Sequence, residues 1–465
     1  MTTHTPKLAL VVALLVAGCA QAPRALAPAQ PPLPVSWRGA PAEPTASPVL
    51  QALADPELDT LRATARQRHP LIAEARAKLA AADAARQAAD AARRPQAALS
   101  GSVSRQGGPL VNAAGASGTL LTLAAGVSAD ADLGGRLAGG ADAAELERAA
   151  AAAELAALTQ SIETSLTGEW LALRTLDGER RVQQQAVAAW QDTLAIAERR
   201  LELGSTSMAS VERLRTELAL AQAEAAALAM QREQRFNAVA AAAGLMPAEL
   251  TLGERALDIP LPATPAAGVP AALLARRADI AATQARLDAA LARAGIAARA
   301  WMPELTLGAS AGQASPRLAD LLAASVRAWS LGLALAQPLF DGGRRDAARA
   351  AAQAEVDAAS ARHQLQLLQA CREVEDQLAA VHGLALRAEA QQRALDAARR
   401  HAALVEQRRQ SGSASTLELL DARRTALATE REQLRVMGQQ RQAWVALVQA
   451  LGGEAPVPAQ LAALR

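Results

Sequence analysis

Apolar and small positions along the chain follow three periods in a fixed order. From Leu71 to Arg94 the pattern is helical, and the helix should stop ahead of Pro95, because proline pushes the preceding residue toward extended backbone. Alternation takes over at Ala97, Leu99, Gly101 and Val103. It lapses through a stretch rich in Gly, Ser, Pro and Ala, then resumes at Leu121, Leu123, Ala125 and Val127. Two strands joined by a loop are predicted, with one face apolar and the other small or polar. Beyond Gly134-Gly135 no proline occurs from Arg136 to Met246, and Gly204 breaks a long helical pattern. The segment Arg136 to Leu203 would be about 100 Å long as one helix.

The same order then runs a second time. A helical stretch, Ile280 to Ala300, stops before Pro303. Alternation follows at Leu305, Leu307, Ala309 and Ala311, and again at Trp329, Leu331, Leu333 and Leu335. Pro95 and Pro303, Gly134-Gly135-Arg136 and Gly342-Gly343-Arg344, Gly204 and Gly412, and Gly244 and Gly452 all keep one offset of 208 positions. Low complexity produces alanine matches, but not Gly and Pro punctuation in register, so the chain is a duplication. The predicted segments are a first repeat over 51–247, a linker over 248–267, a second repeat over 268–455 and a tail over 456–465. Leu367, Cys371, Val374, Leu378 and Val381 recur at spacings of four and three, which predicts a coiled-coil seam. The repeat-turn glycines Gly135, Gly204, Gly343 and Gly412 mark where the chain should reverse or break.

Composition agrees with long helices at close range. Aromatic residues make up 2% of the chain, with no Tyr, so a large globular core lacks its usual filling. The formal net charge of +2 leaves no electrostatic footprint for nucleic acid. At the N-terminus, Lys7 precedes the apolar run Leu8 to Val16, too short to span a bilayer as a helix. Val16-Ala17-Gly18-Cys19 resembles a bacterial lipobox, which implies that 1–18 is a signal peptide and that Cys19 is cleaved and lipidated. Ala20 resembles the residue that follows the cysteine in lipoproteins sorted to the outer membrane. Residues 19–50 read as an extended Pro/Ala-rich spacer. Cys371 is the only other cysteine, so no intrachain disulfide is expected in the mature chain.

Two strand pairs per chain raise a closure problem. Strands of about ten residues have the length that crosses a bilayer in a tilted barrel, yet an open sheet edge in lipid leaves backbone groups unsatisfied. Three chains of four strands each would give about twelve, an even number within the range of such barrels. Trp301 and Phe340 flank one predicted end of the strands and Trp329 the other, a thin aromatic girdle. The rival reading is a periplasmic coiled-coil lipoprotein scaffold without a pore, and the alternating strand pairs argue against it.

Several motifs resemble the TolC-like outer-membrane factor family, in particular its lipoprotein (NodT-type) branch serving resistance-nodulation-division (RND) pumps. Val269-Pro270-Ala271-Ala272-Leu273-Leu274-Ala275-Arg276-Arg277-Ala278-Asp279-Ile280 is similar to that branch's signature, with Ala278 where proline is usual. Gln337-Pro338-Leu339-Phe340-Asp341-Gly342-Gly343-Arg344 resembles the family's strand-to-helix turn. Ala131-Asp132-Leu133-Gly134-Gly135-Arg136 resembles its first-repeat counterpart, with Gly134 where a Trp is usual. The resemblance covers about residues 50 to 453. It implies a mainly α fold with a membrane β-barrel: a homotrimer whose twelve-stranded barrel stands above an α-helical coiled-coil periplasmic tunnel. It further implies outer-membrane lipid around the barrel, a periplasmic membrane-fusion adaptor and an inner-membrane RND transporter as partners, and passive export of drugs or other small toxic molecules. Type I protein secretion is the alternative, since related ducts serve it.

The resemblance also points to a gate. Gly412-Ser413-Ala414-Ser415-Thr416-Leu417-Glu418-Leu419-Leu420-Asp421-Ala422 is similar to the family's periplasmic entrance. Glu418 and Asp421, three apart, share a helix face, and a trimer would ring the constriction with their carboxylates, an arrangement that selects cations. The first repeat carries Ser210 and Arg213 at the equivalent places.

No enzyme chemistry or cofactor is expected beyond the N-terminal lipid. Gly308-Ala309-Ser310-Ala311-Gly312 fits a nucleophile-elbow pattern, but it falls inside an alternating strand rather than on a strand-to-helix turn. His363, His382 and His401 are spread along one helix, without the spacing of metal ligands.

Overall fold

The computed structural model describes residues 37–38, 53, 55–107, 118–265, 276–320 and 327–453. The signal segment with Cys19, most of the spacer, the motif residues Val269 to Ala275 and the tail lie outside the described residues.

Helices begin where a side chain satisfies the first backbone donors. Asp55 accepts from the N–H groups of Glu57 (3.0 Å) and Leu58 (3.3 Å), and Pro56 occupies the first helical position, so α1 runs Pro56–Arg68. Pro70 opens α2 (Pro70–Ala92). Then follow β1 (Gln96–Gln106), β2 (Gly118–Asp130), α3 (Arg136–Glu202) and α4 (Met208–Ala242). The second repeat supplies α5 (Ala278–Ala298), β3 (Glu304–Ser315), β4 (Arg327–Ala336), α6 (Arg344–Gln410) and α7 (Thr416–Ala450). α3 and α6 have 67 residues each and α4 and α7 have 35 each, so the helices reproduce the 208-residue offset without slippage. No helix among the described residues is long and apolar enough to cross a membrane.

The chain divides into two compact units, and both draw on both repeats. One takes Lys78–Ala152 and Ala282–Gln364 and contains the sheet, antiparallel throughout in the order β1-β2-β3-β4. Its central pairing, β2 with β3, joins the two repeats, with Ala125 opposite Ala311 and Val127 opposite Ala309. At Gly312 the strands lie so close that a Cβ would fall 2.4 Å from the Leu123 carbonyl oxygen, so only glycine fits. In the helical part of this unit Leu287, Ala290 and Ala294 bury against Val356. Arg148 pairs with Asp83 at 2.6 Å, and Arg293 with Glu147 at 2.8 Å.

The other unit takes Ala153–Ala281 and Leu365–Arg465 together with the described residues from Trp37 to Ala77. Its largest core joins Leu58 and Leu61 of α1, Leu166 and Trp170 of α3, Val239 of α4, and Trp444 and Val448 of α7. Leu250 and Ile259 of the inter-repeat linker belong to the same core, held by Arg441 donating to the Ile259 carbonyl at 2.8 Å and Trp444 Nε1 donating to the Ala263 carbonyl at 3.0 Å. A buried ionic network sits beside it. Asp177 receives Arg174 at 2.8 Å and Arg232 at 2.7 Å, while Glu57 pairs with Arg174 and accepts from Trp170 Nε1. The predicted seam on α6 is present: Val374 and Leu378 are buried against Leu447 and Leu451, with Cys371 and Val381 partly buried beside them.

Candidate functional site

Alternation along the strands separates two unlike faces. One presents Leu99, Val103, Leu123, Val127, Leu307, Trp329, Leu331, Leu333 and Leu335, all exposed although all are large and apolar. On the other, Ser100, Ser102, Thr122, Ser128, Thr306, Ser310 and Ser330 alternate with Ala and Gly. Hydroxyls there pair across strands, Ser102 with Thr122 and Ser310 with Ser330, each at 2.8 Å. The two pairs are themselves 208 positions apart. Ser310, the centre of the elbow-like motif, thus lies mid-strand and is engaged by a neighbouring hydroxyl. An exposed apolar surface of this extent requires a partner or lipid. β1 and β4 are the sheet's edges and carry unpaired ladder positions. Trp301 is 41% exposed, Trp329 81% and Phe340 91%, as residues at a lipid boundary would be.

The strand-to-helix turns differ between the repeats. Gly135 (φ +64°) and Gly343 (φ +90°) both adopt left-handed backbone. Asp132 caps α3 by accepting from Leu137 N (2.9 Å) and Ala138 N (2.8 Å), and itself takes φ +44°. In the second repeat the cap comes one position later: Asp341 accepts from Gly343 N (3.1 Å) and Arg345 N (3.2 Å). Gly342 then takes the positive φ, so the turns reach one outcome by shifted residues.

In the other unit, Gly204 (φ +69°) and Gly412 (φ +77°) end α3 and α6. Ser205 N donates to the Arg200 carbonyl and Ser413 N to the Arg408 carbonyl, each at 2.8 Å, the bond that closes a glycine C-cap. Ser207 and Ser415 then cap α4 and α7, accepting from Ser210 N and Glu418 N. The two turns lie side by side. Arg200, Thr206, Ser210 and Arg213 share a cleft with Thr416, Leu417 and Leu420, and Arg200 donates to the Thr416 hydroxyl at 3.3 Å.

Glu418 and Asp421 lie in the first turns of α7, both exposed, while Leu419 and Leu420 between them are buried. Each carboxylate has an arginine: Arg408 reaches Glu418 at 3.0 Å and also donates to the Ser413 carbonyl, and Arg424 reaches Asp421 at 2.9 Å. These four side chains together carry no net charge. That local balance is not legible in the sequence, because Arg408 approaches Glu418 from α6. Cys19 lies outside the described residues.

The signature residues also find a use. Arg277 is buried, bonds Asp279 (2.7 Å), Glu373 (2.8 Å) and the Ala450 carbonyl (3.1 Å), and so ties the start of α5 to α6 and α7. Burial pushes the Asp279 carboxyl up, but Arg277, the Ile280 N–H and Gln366 together outweigh it and hold Asp279 below the usual carboxylate range.

Comparison with known proteins follows the same outline. The family model described as outer membrane efflux protein matches residues 61–245 and 269–453, two stretches with the internal offset. The pyoverdine export outer membrane protein OpmQ of Pseudomonas putida is 29% identical over 412 residues, 87% of each chain. The outer membrane protein OprJ of Pseudomonas aeruginosa is 29% identical over 476 residues, covering 96% of this chain and 95% of its own. Among solved structures, the outer-membrane channel OprN superposes with a TM-score of 0.82 at 25% identity, over 92% of this chain and 99% of that one.

Proposed function

Because the chain belongs to the outer membrane efflux protein family, we propose that three copies close their sheets into one barrel and export small toxic molecules handed over by a periplasmic adaptor and an inner-membrane RND transporter. The protein is an outer-membrane channel subunit of an efflux system. The observation that carries the trimer is the sheet itself: four strands, two unpaired edges, one exposed apolar face and one face of small hydroxyl-bearing side chains. Four strands cannot enclose a lumen, and edges are not tolerated in hydrocarbon, so edge β1 of one copy pairs with edge β4 of the next. The apolar face then meets lipid and the hydroxyl face lines the path.

In this reading the lipobox places a lipid on Cys19, as in the lipoprotein branch. The turns at Gly204 and Gly412, with Glu418 and Asp421, form the periplasmic entrance. Conduction is passive, and substrate choice lies with the pump. In situ cross-linking of cysteines placed on β1 and β4 tests the arrangement. A ladder ending at the trimer is expected, with increased retention of an apolar dye in cells lacking the chain. Cross-links confined to monomers, or dye retention unchanged, would refute it.

A further inference from the structure

A cavity of about 450 Å³ lies within the sheet-bearing unit, where β2 gives way to α3, α5 to β3 and β4 to α6. Four arginines line it, Arg136, Arg299, Arg344 and Arg345, along with the carboxylates of Asp130, Asp132 and Glu304. The carboxylates are already engaged. Asp132 holds the N–H groups of Leu137 and Ala138 at the start of α3. Asp130 pairs with Arg136 at 3.3 Å and accepts from the Thr306 hydroxyl at 3.0 Å, and Glu304 lies 3.7 Å from Arg136. Arg345 is bound by Asp341 at 2.7 Å. That leaves Arg299 and Arg344, neither of which has a carboxylate partner among the described residues.

Glycine shapes the place where Arg299 sits. A Cβ on Gly135 would fall 2.9 Å from Arg299 Nη1, so the guanidinium lies against the bare backbone of the turn. Beside it, Gly134 leaves the cavity open; a Cβ there would meet Met302 Cβ at 3.5 Å, an ordinary contact. Leu133, Ile296, Met302 and Pro338 supply an apolar stretch of the wall. Two guanidiniums without counter-ions in one cavity suit an oxyanion, because each presents parallel N–H donors that match a phosphate, sulfate or carboxylate. The apolar wall suits a hydrocarbon body attached to that head and gives a bare inorganic anion nothing to bury. We propose that the cavity binds the anionic head of an amphiphile, with Arg299 and Arg344 as its charged contacts. Two sources supply that chemistry: a phospholipid at the boundary marked by Trp301 and Phe340, or an anionic amphiphile in transit through the duct. The choice of source rests on the channel reading given above, whereas the binding itself does not.

Calorimetric titration of the full-length protein in dodecyl maltoside with dodecyl phosphate, against protein-free micelles, tests the site. About one saturable site per chain is expected, with inorganic phosphate binding at least about tenfold more weakly for want of apolar burial. Arg299→Gln and Arg344→Gln should each weaken binding about tenfold or more, the loss of a charge-assisted contact. Arg327→Gln, at the other end of β4, should leave binding unchanged. Gly134→Trp should abolish it by filling the cavity, and the backbone at Gly134 is not left-handed, so a side chain is allowed there. Phosphorus analysis and conductance separate the sources. About one phospholipid per parent chain after purification, displaced by dodecyl phosphate and missing from Gly134→Trp, identifies a membrane lipid. A parent free of phospholipid whose single-channel current is blocked by dodecyl phosphate, with the block relieved in Arg299→Gln, identifies a transported amphiphile. No saturable binding, or binding undiminished in both arginine variants, would overturn the site. Saturable binding to a protein that never conducts would leave the site standing and overturn the channel reading instead.

Discussion

Ser330 and Leu331 are adjacent in β4 and point to opposite faces of the sheet, so one substitution at each position separates lipid from lumen. Leu331 is the fifth of ten residues in β4 and is 79% exposed, which puts it near mid-depth of any bilayer the strand crosses. Arginine on the lipid face at the midplane costs about 2–4 kcal/mol per chain, so roughly 6–12 kcal/mol for three copies in one barrel. That is comparable with the whole stability of an ordinary domain, about 5–15 kcal/mol. Ser330→Arg forfeits only the hydroxyl pair with Ser310, a neutral bond worth about 0.5–1.5 kcal/mol, and places its charge in water. Leu331→Arg should abolish the heat-modifiable trimer on mild-detergent gels. Ser330→Arg should assemble and move the reversal potential in a salt gradient toward anions. If Leu331→Arg assembles and Ser330→Arg does not, the faces are assigned the wrong way round. If both assemble with unchanged reversal potentials, the sheet does not form the wall of a pore.

Four further outcomes follow from particular contacts. Arg277→Ala leaves Asp279 and Glu373 without their shared cation and should destabilise the protein by about 3 kcal/mol, the low end for a broken buried pair because Glu373 is 43% exposed, read as a fall in the trimer's melting temperature. Asp279 is held below its unfolded pKa, so its contribution is full above about pH 4 and is lost as pH falls through the folded value; Asp279→Asn should remove that acid step from the melting profile. Glu418→Gln with Asp421→Asn should weaken cation preference and divalent block, while Arg408→Gln with Arg424→Gln should strengthen both; because these exposed pairs are worth about 0–1 kcal/mol each, changes beyond roughly fivefold per pair would contradict the assignment. Gly312→Ala should cost about 1–3 kcal/mol, since its Cβ meets the backbone of Leu123 and Ala124, whereas Gly332→Ala, with open space around it, should leave chemical denaturation unchanged.

The parts of this fold that depend on local pattern are readable in the residues. Pro95 and Pro303 stop helices, the alternation from Ala97 and from Leu305 becomes β1 and β3, and the breaks at Gly204 and Gly412 are left-handed helix ends. Both faces of the sheet are visible too, because most large apolar residues of the strands sit on odd positions and most hydroxyls on even ones. α1 was legible in principle from Asp55-Pro56, a cap followed by a proline at the first helical position, but lies ahead of the repeat's strongest signals. What the residues do not reveal are contacts made at long separation in an alanine-rich chain crowded with arginine and carboxylates. Arg174 and Asp177 look like many other pairs three apart, and only packing with Arg232 and Glu57 buries them. Glu418 falls in the same class. Its position on the first turn of a helix is legible, but not the arginine that crosses from α6 to meet it.

A channel in the outer membrane must conduct ions across a bilayer. Single-channel recording of the purified full-length protein in a planar bilayer tests this most directly. Discrete conductance steps from a trimer are expected, with mild cation preference that falls when Glu418 and Asp421 are neutralised. A folded protein that inserts without conductance, or that stays monomeric and never inserts, would contradict it.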